Sequence, residues 1–219
     1  EKTIEIRGAC GSSGTEPCVL DAKSRTRHVV VGAVGSLTLT NLILKNGAAT
    51  RFAPPSSDGG AVFVFGAFYA TRVAFTNNAA TADGTSAGGS VAVAGGNALF
   101  TECAFVNSTS ADDGGAVRVA SGGSAEIRRS SFENCAAGGL GGGVAGDSAS
   151  ITLRYCTFDE TVTAREEASR DAEASFLEAS SPRESPARSG ETSFSTPLLR
   201  CRSAVWSAPS TQAPCRRFS

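Results

Sequence analysis

Apolar residues in this chain recur at alternate positions in short runs, broken by glycine, serine or asparagine, rather than at three- and four-residue spacing. Leu37-Thr38-Leu39-Thr40-Asn41-Leu42-Ile43-Leu44 and Val62/Val64 are representative. Period-two alternation predicts strands, and the breaks predict turns between them. The runs belong to a larger repeat. Gly59-Gly60-Ala61-Val62, Gly88-Gly89-Ser90-Val91, Gly114-Gly115-Ala116-Val117 and Gly142-Gly143-Val144 mark copies 29, 26 and 28 residues apart. Downstream of each pair stands a phenylalanine: Phe75, Phe105, Phe132 and Phe158.

Registering the copies on that phenylalanine places Val73, Cys103, Ser130 and Cys156 two residues before it, and Ala70, Phe100, Ile127 and Leu153 five before it. Leu44 takes the phenylalanine place in an earlier, more aliphatic copy. Each repeat therefore holds three alternating segments, too few to bury their apolar side chains alone. Stacking the repeats as coils about 4.8 Å apart, each strand parallel to its equivalent one coil on, gives those side chains a continuous core. The predicted fold is all-β: a right-handed parallel β-helix solenoid of about five to six coils. Glycine pairs suit its tight corners, where positive φ is needed.

Two residues after the phenylalanine column come Asn77, Asn107 and Asn134, with Asn46 after Leu44. Asparagine tolerates left-handed backbone, and its amide can bond the equivalent amide one coil away, so these four are expected to form a structural ladder at a corner. Glu160 replaces asparagine in the last copy, which suggests that the ladder ends there. The sequon Asn107-Ser108-Thr109 falls within this ladder, which is expected to be buried, and glycosylation there is discounted.

The repeat sets the expected domain limits at 1–161, with 1–36 an irregular first coil that serves as N-terminal cap, and 162–219 a tail. Only one of 25 glycines lies beyond Thr161, whereas five of eight prolines do. Ala164, Ala168, Ala172 and Phe176 fall at four-residue spacing, compatible with a short helix over 164–179. From Ser180 onward too few apolar residues are present to offset the entropy of ordering, and disorder is expected.

Composition limits the chemistry. A net charge of −1 gives no basic surplus for nucleic acid or an anionic membrane. The longest apolar run, Ala61 to Ala70, is about half of what a bilayer-spanning helix needs. Of the seven cysteines, Cys10 and Cys18 close a short Gly/Ser loop and are candidates for a disulfide, as are Cys201 and Cys215. Cys103 and Cys156, two coils apart on an inward column, read as small core residues. With a single histidine, His28, and no Cys/His cluster, neither a metal site nor a cofactor is expected.

The Gly-Gly-Ala-Val units followed by Phe and Asn resemble the repeats of polymorphic outer-membrane proteins. They also resemble the broader pectin-lyase-like superfamily of right-handed β-helices. The family motif, a Gly-Gly-Ala-Ile type unit with Phe-x-x-Asn, is matched by Phe75-Thr76-Asn77-Asn78, and the other copies carry asparagine one place earlier. Cys18-Val19-Leu20-Asp21-Ala22 and the leucine run after it look like the first coils of such domains, so the resemblance covers about residues 3 to 160. It implies an extracellular or cell-surface location, with any leader outside the sequence in hand.

Two functions are weighed. One is a non-catalytic, monomeric scaffold presenting unequal loops (47–58, 79–87, 108–113 and 136–141) to a glycan or surface-protein partner. The alternative is a polysaccharide lyase or glycoside hydrolase, which needs paired carboxylates, or Ca²⁺ with a basic residue. Asp58, Asp83, Asp112 and Asp113 lie in the loops and are the candidate ligand residues; solvated turns account for them equally. Arg118, Arg128 and Arg129 could meet an acidic sugar, but outer-face decoration is the simpler reading. No catalytic residue is assigned. A column of Thr40, Thr71 and Thr101, four before the phenylalanine, suggests a water-ordering array but breaks at Arg128 and Arg154. His28 is read as a surface or edge residue.

Overall fold

The structure, a computed structural model, describes residues 2–49, 55–82 and 84–163. It is an all-β parallel solenoid of about five turns. The expected helix over 164–179, the disorder beyond Ser180, the Cys201/Cys215 pair and Asp83 all lie outside the described residues.

Three parallel sheets run along the rod. The widest is built from Lys2–Arg7 and Cys18–Asp21, the long strands Gly35–Lys45 and Ala67–Thr76, and then paired shorter strands: Asn97–Thr101 with Ala104–Val106, Ser124–Arg128 with Ser131–Glu133, and Ser150–Arg154 with Thr157–Asp159. A second sheet stacks Val29–Val31, Val62–Val64, Val91–Ala94, Val117–Ala120 and Val144–Asp147. The third consists of two-residue strands, Ala48–Ala49 through Val162–Thr163, just after the asparagine corner. Two residues are too short to show alternation, so this sheet has no sequence signature.

Register follows the inward columns. Leu37 pairs with Phe68, Phe68 with Ala98, Ala98 with Ala125 and Ala125 with Ile151. Phe75, Phe105, Phe132 and Phe158 stack with centroids 4.8, 4.7 and 4.6 Å apart and planes within 4° of parallel. Phe100 meets the edges of both Phe75 and Phe105 from beside the stack, at 6.2 and 5.5 Å. A one-residue slip would turn each column outward, so burial fixes the register.

Glycine does two jobs at the corner that precedes Val62–Val64 and its equivalents. Gly59, Gly88, Gly114 and Gly141 hold φ of 66 to 68°, the left-handed region. Their successors Gly60, Gly89 and Gly115 have no positive φ; a Cβ there would lie 2.2, 2.1 and 2.0 Å from a carbonyl oxygen one coil on. In the fourth copy the pair in this role is Gly141-Gly142. Gly143 takes the place of Ala61, Ser90 and Ala116, where a Cβ would lie 2.8 Å from the Phe158 ring, so the true spacing from Gly114 is 27 rather than 28.

The ends depart from expectation in detail. Glu160 keeps the left-handed corner at φ 48°, and Val162–Thr163 pairs with Ala136–Ala137, so the solenoid continues past the expected end of its ladder. At the other end, Lys2–Arg7 pairs residue for residue with Gly35–Thr40, and Cys18–Asp21 with Leu42–Lys45. This level extends the stack and leaves its own inward side chains open, with Ile4 56% exposed. A Cys10–Cys18 disulfide closes the connecting loop, braced by the Cys10–Glu16 bridge. Removing a crosslink of this span is expected to cost about 2–3 kcal/mol of first-coil stability by loop entropy. In Cys10→Ser/Cys18→Ser, amide exchange should accelerate across residues 2–7 and 18–21 while Val62–Val64 keeps its protection; acceleration throughout the rod would contradict a local role.

Candidate functional site

The loop aspartates lie where the chain enters the glycine corner, and their carboxylates turn toward neighbouring backbone. Asp58 Oδ1 accepts the Ala87 amide at 2.8 Å, while its Oδ2 accepts the Ser56 hydroxyl at 2.9 Å. Two coils along, Asp113 Oδ1 accepts the Leu140 amide at 2.8 Å. Ala87 and Leu140 each precede a left-handed glycine, so a carboxylate on one coil caps the equivalent turn of the next. Asp112 joins through its main chain: its amide donates to Ser86 O, and its carbonyl accepts from the Gly139 amide and the Ser110 hydroxyl. The loops thus leave the rod at fixed points.

Arg27, which the sequence pattern does not single out, fastens the first of these loops. It is 6% exposed, lies over the Phe63 ring at 5.2 Å, and donates Nε–H to Gly59 O at 2.8 Å. Its terminal nitrogen reaches the Ser56 and Asp58 carbonyls. Burial lowers its pKa, and the Asp58 charge opposes that shift. A single arginine among Thr and His gives no periodic signal by which sequence could place it inside.

The asparagine ladder is external. Asn46, Asn77, Asn107 and Asn134 hold φ between 50 and 55°, and Asn77, Asn107 and Asn134 are exposed, which corrects the expectation of a buried ladder. Asn107 Nδ2 donates to Asn77 Oδ1 at 3.0 Å, and Asn46 Nδ2 donates to Asp21 Oδ1 at 2.9 Å. The buried amide is instead one residue later. Asn78, fully buried, accepts the Gly47 amide at 2.7 Å and donates to Leu44 O and Ser90 Oγ, and Ser90 Oγ in turn bonds Ser108 Oγ at 2.7 Å. Gly47, Asn78, Ser108, Cys135 and Thr161 share this inward column one residue after the corner. The Phe-x-x-Asn spacing was the available signal for Asn78.

The arginines at the outer surface have acidic neighbours. Arg118 faces Asp147 at 3.9 Å, Arg129 faces Glu102 at 4.0 Å, and Glu126 takes both Arg128 at 2.6 Å and Arg154 at 3.7 Å. Such exposed pairs add little stability. Thr40, Thr71 and Thr101 are in register and are followed by Arg128 and Arg154, so the threonine column ends at a charged one.

The three free thiols among the described residues point inward or into the ends of the core. Cys103 Sγ donates to Ala70 O at 3.4 Å, Cys135 Sγ to Phe105 O at 3.5 Å and Cys156 Sγ to Ile127 O at 3.4 Å. Burial pushes the Cys103 thiol up to about 11 and raises the other two, so none offers a thiolate at neutral pH. His28 is half-buried beside the edge strand Val29–Val31; its Nε2–H donates to Leu20 O at 2.9 Å, and desolvation lowers its pKa.

Among the described residues no three His, Cys, Asp or Glu side chains come together as a metal-binding group, and no helix is long and apolar enough to cross a membrane. Compared with known proteins, the chain matches no family model, no curated protein and no solved structure.

Proposed function

We propose that the chain is a non-catalytic scaffold of the extracellular or cell-surface kind, of the pectin-lyase-like β-helix type, whose loops engage a glycan or a surface protein. The observation that carries this reading is the anchoring of the loops. Asp58 and Asp113 spend their carboxylates on the next coil's amides, and Arg27 ties down the loop that holds Ser56 and Asp58. Segments of unequal length therefore start from fixed points on a stacked frame, which lowers the ordering cost of binding. Among the described residues those at 108–113 and 136–141 lie buried or half-buried against the rod, and the exposed positions are Pro55, Thr81, Gly84 and Thr85 of the first two. The Cys10–Cys18 crosslink is of the kind that persists in oxidising compartments.

The reading is tested by a glycan-array screen run beside an assay for new reducing ends on the same polysaccharides. Retention of a glycan class with no release of sugar is the expected result. Release that tracks the purified protein would replace the scaffold by the lyase or hydrolase alternative.

A further inference from the structure

We propose that Asn107 is an N-glycan acceptor. Of all the asparagines in the chain, it alone has Ser or Thr two places on, as Asn107-Ser108-Thr109. The geometry then decides whether a modified chain can fold. Ser108 is buried and bonded to Ser90, whereas Asn107 sits at a left-handed corner, φ 52°, with its side chain exposed. The inward side chains on either side of the corner, Phe105 and Ser108, face the core, so a sugar on Nδ2 extends into solvent and displaces no core atom.

The transfer is a simple substitution. Asn107 Nδ2 forms a bond to C1 of an oligosaccharide carried on a lipid pyrophosphate; the C1–O bond to phosphate breaks, the lipid pyrophosphate leaves, and one amide proton is lost. The product is a secondary amide that keeps one N–H. Thr109, half-buried, lies in the strand Thr109–Ser110 paired on both sides, so once the coils close its backbone is locked in the sheet and the sequon cannot bend into an enzyme's active site. Transfer therefore precedes coil closure, during translocation into the secretory compartment. The inference rests on the extracellular reading for its biological setting, but the acceptor chemistry can be tested apart from it.

The experiment is translation of the full chain, behind a secretory leader, into microsomes that carry a lipid-linked oligosaccharide. Amidase digestion and peptide mass analysis then read residue 107. The expected result is one glycan, with Asn107 recovered as Asp after the amidase, lost in both Asn107→Gln and Thr109→Ala. Translocated chain with the Cys10–Cys18 bond formed and Asn107 unmodified would overturn the proposal. Fractionation of the source cells tests the extracellular reading independently: a glycan formed in microsomes on a protein that resides in the cytosol would sink that reading and leave the acceptor site standing.

Discussion

Gly115→Ala is expected to lower stability by about 3 kcal/mol or more, the upper end of what overpacking does, because neither obstructing group is a side chain that can swing away. A Cβ at this position would lie 2.0 Å from Gly142 O and 2.7 Å from the Ala136 carbonyl, both main-chain atoms of the next coil. The backbone is not in the left-handed region here, so the loss would report close approach alone. Relief requires the coils to separate locally, which would break the Gly115 N to Gly141 O bond at 3.0 Å. Gly32→Ala is the control: nothing lies within 4 Å of its Cβ, its φ is ordinary, and a change within about 0.5 kcal/mol is expected. Thermal midpoints separate the two, at about 2–4 °C per kcal/mol for a chain of this size. Equal midpoints would show that the coils tolerate wider spacing than the glycine column implies.

That glycine column illustrates what the sequence could and could not convey. A recurring Gly-Gly-small-Val unit locates a corner, yet composition assigns both glycines the same role, whereas Gly114 supplies a positive φ and Gly115 a missing Cβ. In the fourth copy three glycines in a row, Gly141 to Gly143, leave the register ambiguous by one residue, and only the stacking resolves it. The long strands were readable because alternation over five or more residues is a strong signal. The two-residue strands were not, since Ala48–Ala49 and Ala79–Ala80 carry no pattern at all.

The candidate site was legible to a lesser degree. Residue type alone marked Asp58 and Asp113 as free loop carboxylates; their partners are amides 29 and 27 residues away, set by coil length rather than by any local motif. The corner asparagines were identifiable from spacing, but their side of the wall was not. A left-handed residue between two inward positions throws its side chain outward, and this is why Asn107 is exposed while Asn78 is buried. Arg27 had no signal, because a buried arginine is recognised by the carbonyls around it.

The second large effect is expected at Phe105→Ala, with a loss of about 3–5 kcal/mol. Phe105 is fully buried, stacked on Phe75 at 4.8 Å and on Phe132 at 4.7 Å, and met edge-on by Phe100 at 5.5 Å. Truncation removes the transfer free energy of the ring, and also two stacked contacts and one edge contact whose partners are held by their own strands. The strands on either side are paired in register, so the walls cannot close over the gap. Phe158, in the last described level, is only half-buried and stacks on one ring, Phe132 at 4.6 Å. Phe158→Ala should therefore cost less than half as much. Urea midpoints at unchanged slope provide the comparison. Equal losses at the two positions would mean that the rod unfolds from its end before the middle of the stack is felt, and the central rings would then be fillers of the tube rather than its main source of cohesion.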